Sequence, residues 1–348
     1  MAIKVGIDIG NSSIKYCSEF GFGEIPSWRA RGQITQIVAD SAAQLSAIRY
    51  NGEDLILGED AVLGTDFVWK TDEEKSDEIN IPFILLALAR MGITQADIVL
   101  GLPVSTASSR KKVEKIKETY SGVKEAVING RSITYSLRTN VMAEPLGTYL
   151  SLVLDEDFRY VKTSPYFHDQ MAIVDIGYRT VDIVILERGK MAATRNSTMS
   201  GMIRFFDKVR ADLESEHGKM RPNEEVRIHK NIIGHFGAAA LKINGEFVRP
   251  DFWKQAAQYK EQIARDITDE IKVVLSDIRP DRVLLTGGGA LLLQSELLNH
   301  NRHFVLHKNP RFANVIGFYR AAKTMPDQAG PGGSNAEDRD RIASIQSR

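Results

Sequence analysis

One pattern occurs twice and constrains this chain more than any other. An apolar strand runs into an Asp, one apolar residue, a Gly, a short polar turn and an apolar return strand. The first copy is Val5-Gly-Ile-Asp-Ile-Gly-Asn-Ser-Ser-Ile-Lys-Tyr16, and the second is Met171-Ala-Ile-Val-Asp-Ile-Gly-Tyr-Arg-Thr-Val-Asp-Ile-Val-Ile185. Each reads as a β-hairpin whose tip carries polar groups. Repetition of such a unit predicts a duplicated fold, two similar halves whose tips face each other across a cleft.

Tips of this composition suit a polyphosphate. Gly10 lets the backbone come close, while backbone N–H groups and Ser12 donate to phosphate oxygens and Lys15 supplies positive charge. Asp8 would repel a phosphate directly, so its place is beside a divalent cation, through that cation's water shell. A single polar tip with one Asp and one Lys is also what an ordinary turn looks like. Two such tips, the second built on Asp175, Gly177 and Thr180, are a phosphate clamp.

The 348 residues allow two or three domains. Lys plus Arg and Asp plus Glu each number 45, so the formal net charge is zero, which argues against a partner such as nucleic acid recruited by bulk charge. Cys17 is the only cysteine. It excludes an internal disulfide and a cysteine-based metal cage and points to a reducing compartment. A strand begins almost at the N-terminus, and no apolar run reaches the ~18–20 residues of a membrane span. The expectation is a cytoplasmic protein.

Between the two hairpins the sequence alternates short strands and helices. Gln33 to Gly58 reads as strands ending in a hairpin at Asn51-Gly52, and Asp72 to Asn80 as a charged loop. Ile81 to Arg90 is a helix capped at Gly92, followed by a buried strand from Asp97 to Pro103. Ser109 to Tyr120 is a basic helix whose Lys and Arg residues interleave with Glu114 and Glu118, the pattern of a solvated surface with i,i+4 pairs. A hairpin turning at Asn129-Gly130 precedes a helix that Glu144-Pro145 opens and that runs to Leu154, with the acid placed to suit the helix dipole. Beyond the second hairpin come helices over Ser200 to Glu216, Pro222 to Gly237 and Asp251 to Ile278, with a small hairpin at Asn244-Gly245. A strand then meets the triplet Gly287, Gly288 and Gly289, and a helix from Leu291 to Leu298. With no side chains there, a flat ring or ribose can lie against the backbone. His300, His303 and His307 flank a short strand without a carboxylate in their segment, which reads as a strand edge and not a metal site. The last helix covers Asn309 to Ala322, and the Gly-, Pro- and Ser-rich residues from Pro326 onward read as a disordered tail.

Five stretches resemble, in order, the motifs of the superfamily of actin, sugar kinases and heat-shock chaperone ATPases. Residues 8–15 resemble its first phosphate loop, 141–147 (Val-Met-Ala-Glu-Pro-Leu-Gly) its first interdomain connector and 175–182 its second phosphate loop. Residues 285–290 (Leu-Thr-Gly-Gly-Gly-Ala) resemble its adenosine motif, and 312–319 (Phe-Ala-Asn-Val-Ile-Gly-Phe-Tyr) its second connector. The second loop, the last connector and the length are most similar to plasmid-segregation actins of the ParM/StbA type and their archaeal relatives. The resemblance implies an α/β, actin-like fold of two RNase H-like domains, each with a five-stranded sheet, flanking a nucleotide cleft. Domain I would span residues 1–145, with the helix of 309–325 returning to it, and domain II 146–308.

The resemblance further implies ATP, with GTP possible, and Mg²⁺. Gly10, Asn11, Ser12 and Lys15 would hold the β- and γ-phosphates, Gly177 and Thr180 would contact them, and Asp8 and Asp175 would organise hydrated Mg²⁺. Glu144 would position the attacking water, assisted by Asp182, and Gly287, Gly288 and Gly289 would pack against the nucleoside. Glu224 and Glu225 are candidates for the ribose acid. Asn11 stands where many members have Ser or Thr, and Tyr178-Arg179 replaces the usual Gly-Thr. The expected activity is an ATPase that assembles into homopolymeric filaments and hydrolyses nucleotide to control their stability, with a DNA-bound adaptor as partner, in plasmid or other DNA segregation. No direct nucleic-acid or membrane contact is expected. Two alternatives remain on the same motifs: a small-molecule kinase similar to type III pantothenate kinases, and a nonpolymerising nucleotide-dependent scaffold.

Overall fold

A computed structural model describes residues 2–34, 45–69, 77–187, 190–191, 198–234, 236 and 240–325. The tail from Pro326, most of the charged loop at 72–76 and part of the stretch from Gln33 to Gly58 lie outside the described residues. No helix among the described residues is long and apolar enough to cross a membrane.

The first half is built on β1 (Ile3–Ile9), β2 (Ser13–Ser18), β3 (Gly21–Pro26), β4 (Trp28–Arg31), β5 (Ala47–Tyr50), β6 (Glu53–Leu57) and β7 (Thr65–Trp69). Helix α1 (Ile81–Arg90), β8 (Gln95–Leu102), α2 (Val104–Ala107), α3 (Arg110–Tyr120), β9 (Gly122–Ile128) and β10 (Arg131–Ala143) complete it. The hairpin tips at Asn51-Gly52 and Asn129-Gly130 have positive φ at all four residues, as a type I′ turn requires. Gly92, at φ 69°, follows α1 in the left-handed conformation that ends many helices. Strands β1 and β8 pair in parallel, and β8 pairs in parallel with β10. Both β1 and β8 are buried along nearly their whole length, as parallel strands covered on both faces must be.

The second half repeats this plan. Helix α4 (Glu144–Val153) and the short α5 (Pro165–His168) lead into β11 (Gln170–Ile176), β12 (Thr180–Glu187), β13 (Lys190–Met191) and β14 (Thr198–Ser200). Helices α6 (Ile203–His217) and α7 (Pro222–Gly234), the small hairpin β15 (Lys242–Ile243) and β16 (Glu246–Phe247), and α8 (Phe252–Val274) follow. Strand β17 (Arg282–Thr286), helices α9 (Gly288–Leu292) and α10 (Gln294–His300), β18 (Phe304–Leu306) and α11 (Ala313–Thr324) end the described chain. This sheet has six strands among the described residues: β13-β12-β11-β17-β18, the counterpart of β3-β2-β1-β8-β10, with β14 also paired to β12.

Two expectations need correction. The first-half sheet has ten strands, not five: beyond β10 it continues through β9, β5, β6, β4 and β7. Ser27 alone separates β3 from β4, yet the two strands lie far apart in the sheet order, so the sheet coils back on itself. The helix after the glycine triplet starts at Gly288, inside it, and breaks at Leu293.

Each half has its own apolar core. A third cluster fills the space between them, where Tyr149, Leu150 and Val153 of α4 meet Met171, Ile173 and Leu284 of the second sheet. Helix α11 packs on β1 and β8 of the first half and on α4. The two helices α4 and α11 cross at glycines: a Cβ on Gly317 would lie 1.7 Å from the Gly147 carbonyl oxygen. Phe318, fully buried, seats against Gly101 and Gly147 at that crossing.

Candidate functional site

A cleft of about 820 Å³ opens between the halves. The residues singled out above for phosphate, cation, water and nucleoside roles border it, whereas the ribose candidates Glu224 and Glu225 do not. Asp8, Gly10, Asn11, Ser12 and Lys15 come from the first hairpin, and Asp175, Gly177, Thr180 and Asp182 from the second. Glu144 begins α4, and Gly287, Gly288 and Gly289 form the mouth of α9.

The two tips are the same turn. Gly10 N–H donates to the Ser13 carbonyl at 3.1 Å, and Gly177 N–H donates to the Thr180 carbonyl at 2.9 Å. The first turn is braced by Ser27, whose Oγ donates to the Gly10 carbonyl at 2.8 Å and whose N–H donates to Ser12 O at 2.9 Å. The pairing register then separates their chemistry. Asp8 stands opposite Lys15, with Nζ 3.5 Å from the carboxylate, whereas Asp175 stands opposite Asp182. One tip is a charge pair and the other two carboxylates.

Asp175 is the pivot of the cleft floor. Its Oδ2 accepts a 2.6 Å hydrogen bond from Asn314 Nδ2, and a Cβ on Gly287 would lie 2.4 Å from its Oδ1. Gly287 has φ 89°, a left-handed conformation that glycine adopts without strain. Burial first, then the Asp8 carboxylate and more weakly Asp182, push the Asp175 carboxyl up to about 6, against the lowering influence of Lys15 and Asn314. The Asp8 and Asp175 carboxylates are thus close enough to repel each other, a repulsion that a divalent cation would relieve. Thr180 Oγ1 donates to Asp182 at 2.9 Å and orients it.

Among the described residues no three His, Cys, Asp or Glu side chains group as a metal cage. Two inward carboxylates without a cage fit Mg²⁺, which keeps several waters and takes its remaining ligands from a substrate phosphate. The cleft fits a nucleoside as well. Gly288 is exposed with no atom within 4 Å of where a Cβ would stand, so the backbone there is open to a flat group. Ile232, Ile233, Leu291 and Leu292 give that end an apolar lining.

Sequence reasoning missed four features. Lys112 and Lys115 of α3, read as a solvated surface, line the cleft, although Arg110 and Glu114 do form the expected i,i+4 pair at 2.8 Å. Lys260, nearly buried, pairs with Glu296 at 3.0 Å and also borders the cleft. Asn314 lies within the last connector motif, which was its available signal. The fourth is an aromatic clasp across the two halves. Trp69 of β7 stacks on Tyr178 of the second tip at 5.4 Å and meets His229 of α7 edge-on, while Trp28 of β4 also meets His229 and Phe206 of α6 stacks on it. Burial holds the His229 imidazole down at about 3, so it is neutral. No spacing rule connects Trp28, Trp69, Tyr178 and His229 along the chain.

Four other residues singled out in the sequence have partners of their own. Glu224 accepts from the backbone N–H groups of Arg221 and Asn244, and Glu225 pairs with Arg210 at 2.7 Å; neither lines the cleft. His307 accepts from Asn309 N–H at Nδ1, which leaves Nε2 to donate to Ser151 Oγ at 2.9 Å. Both nitrogens are committed, in keeping with the absence of a metal role. His300 does have a carboxylate nearby, Glu261 at 3.0 Å.

Residues 6–147 match the family model described as the actin-like proteins' N-terminal domain, and residues 173–299 the one described as the archaeal actin homologue MreB-like C-terminal domain. Among solved structures, an archaeal actin homolog superposes with a TM-score of 0.72 at 19% identity, over 92% of this chain and 99% of its own. That homolog has also been solved in complex with ADP. A 15-stranded ParM filament from Clostridium botulinum gives 0.72 at 16% identity, over 92% of this chain and 99% of its own. ParM of Bacillus thuringiensis with ATP gives 0.64 at 18%, over 92% of this chain and 98% of its own. No curated protein sequence matches significantly.

Proposed function

From the premise that this chain belongs to the actin-like proteins, we propose that it is a nucleotide-hydrolysing, filament-forming protein of the ParM kind. The observation that carries this reading is the pair of equivalent tips: Gly10 and Gly177 make the same turn at opposite walls of one cleft. Backbone N–H groups at those turns, with Asn11, Ser12, Lys15 and Thr180, grip the β- and γ-phosphates of ATP, and GTP is the possible second substrate. Asp8 and Asp175 hold hydrated Mg²⁺, which neutralises phosphate charge when bound. Glu144, half-buried at the start of α4, orients the attacking water and accepts its proton, and Asp182 assists. Gly287, Gly288 and Gly289 seat the nucleoside.

Residues 1–145 with α11 form the first body, and residues 146–308 the second. Nucleotide bound between them favours head-to-tail assembly of copies of this chain, a heterologous contact that does not close, and hydrolysis weakens it. Structural relatives have been solved as a filament and with ATP or ADP, which supports self-assembly and nucleotide binding here. A DNA-bound adaptor, DNA segregation and a cytoplasmic location complete the reading, with no direct nucleic-acid contact needed by a chain of zero net charge.

The test is 90° light scattering with pelleting, over a range of protein concentrations, with Mg-ATP, Mg-GTP, Mg-ADP or no nucleotide. A triphosphate-dependent rise above a critical concentration is expected. Bound nucleotide with a flat trace at high concentration overturns the filament reading, and a hydroxyl-acceptor screen then tests the kinase alternative.

A further inference from the structure

A chain of buried hydrogen bonds runs from the crossing of α4 and α11 to the cleft floor. Thr148, one residue past Gly147 on α4, is fully buried and donates its Oγ1–H to Asn314 Oδ1 at 2.6 Å. Asn314, on the first turn of α11 and nine-tenths buried, donates Nδ2–H to Asp175 Oδ2 at 2.6 Å. Thr286, whose Cα stands opposite that of Asp175 in the β11–β17 ladder, lies 3.5 Å from Thr148 Oγ1 and donates to the Pro310 carbonyl at 3.1 Å.

Three physical points follow. The Asp175 carboxylate only accepts, so it takes the Asn314 NH₂ and turns Oδ1 toward Thr148, whose hydroxyl donates to that oxygen and braces the amide. Its NH₂ is thereby committed to Asp175. The donor comes from α11, which packs on β1 of the first half, while the acceptor belongs to β11 of the second. The aim of one half's carboxylate is therefore set by a side chain carried on the other half's helix. Lastly, the contact sits close to the glycine crossing, where backbones touch and neither helix can slide without moving both side chains.

We propose that Asn314 is a positioning residue for Asp175, braced in turn by Thr148, and that this relay makes cation binding in the cleft depend on the α4–α11 crossing. The inference rests on the nucleotide reading above and deepens it. Asn314 itself borders the cleft and acts through Asp175: it donates to one carboxylate oxygen, neutralises part of the charge and fixes the carboxylate's orientation. Partners of this kind, bonded to a metal-binding carboxylate, commonly change metal affinity by ~10–100-fold when removed.

The test measures nucleotide affinity by calorimetry for the wild-type chain, Asn314→Ala, Thr148→Val and Thr148→Ser, each with Mg²⁺ and with EDTA, alongside a thermal melt. In the wild type Mg²⁺ tightens ATP binding. Asn314→Ala should lose at least about tenfold of that gain while its affinity in EDTA changes little, and Thr148→Ser, which keeps the hydroxyl, should retain the gain. A purely structural role would lower the melting temperature and weaken both conditions alike. Asn314→Ala with the full Mg²⁺-dependent gain overturns the proposal. Should Asn314→Ala fail to fold, Thr148→Val decides: a reduced gain supports the relay and a wild-type gain overturns it. A wild-type chain that binds ATP without any Mg²⁺-dependent gain overturns the relay and spares nucleotide binding. One that binds no nucleotide overturns both.

Discussion

The carbonyl oxygen of Gly147 occupies the space that a side chain on Gly317 would need, 1.7 Å from its ideal Cβ position. This contact brings the two connecting helices backbone to backbone and sets the separation of the halves, and with it the width of the cleft.

Gly317→Ala therefore opposes two effects. Alanine in a helix interior gains about 1 kcal/mol over glycine. Overpacking of a tight site typically costs about 1–3 kcal/mol, and here the clash is with backbone, which no rotamer relieves. A backbone clash this close belongs at the upper end of that range, so it should win with a net loss of about 2 kcal/mol by urea denaturation. Unchanged or higher stability would mean that the helices separate freely.

His229 should make the protein acid-sensitive in a defined window. Its folded value is about 3 against an ordinary 6.5, because burial disfavours the charged ring. Below pH 6.5 the unfolded chain takes up a proton that the folded chain refuses, so stability falls as pH drops from 6.5 toward 3 and levels off below that. The slope from this group is at most about 1.4 kcal/mol per pH unit. His229→Phe should flatten the wild-type curve between those limits in chemical denaturation at fixed pH steps. Parallel curves would place the group in water.

The clasp predicts a kinetic phenotype. Trp69 packs against Tyr178 of the second tip and against His229 from across the cleft, so Trp69→Ala removes an interface contact while leaving the proposed phosphate-binding residues Gly177 and Thr180 in place. Release of a fluorescent ATP analogue, followed by stopped-flow, should accelerate by about tenfold, the equivalent of 1.4 kcal/mol. The Mg²⁺-dependence of binding should be unaltered. An unchanged release rate would show that the clasp does not gate the cleft.

In the proposed mechanism Glu144, which borders the cleft, is the base. Glu144→Gln keeps size and shape and removes the base, so phosphate release should fall by about 10²–10⁴-fold while ATP affinity stays within a few-fold. Filaments, once scattering establishes them, should outlast those of the wild type. A variant that hydrolyses ATP at the original rate would transfer the role elsewhere, with Asp182 the next residue to substitute.

The duplicated hairpin and the glycine triplet were legible in the sequence because their chemistry is local. Asp8, Gly10 and Lys15 lie within one turn, as do Asp175, Gly177 and Thr180, and pairing register alone decides what faces what. Turns such as Asn51-Gly52 and Asn129-Gly130 were legible for the same reason, since a left-handed backbone narrows the choice of residue. The five added strands of the first sheet were not. Short strands such as β4, β5 and β7 carry no signal of which neighbour they join, and β4 pairs far from the strand that precedes it.

The sequence by itself determined the two tips, their phosphate-suited chemistry and the actin-like plan of two related halves. Only the tertiary structure decided that Asn314 holds Asp175, that Trp69 reaches Tyr178 and that two exposed lysines of α3 border the cleft. Hydrogen bonds and ring contacts between residues more than a hundred positions apart leave no periodicity along the chain. They exist because packing at Gly147 and Gly317 brings the halves to one fixed distance, and that distance is a property of the folded backbone.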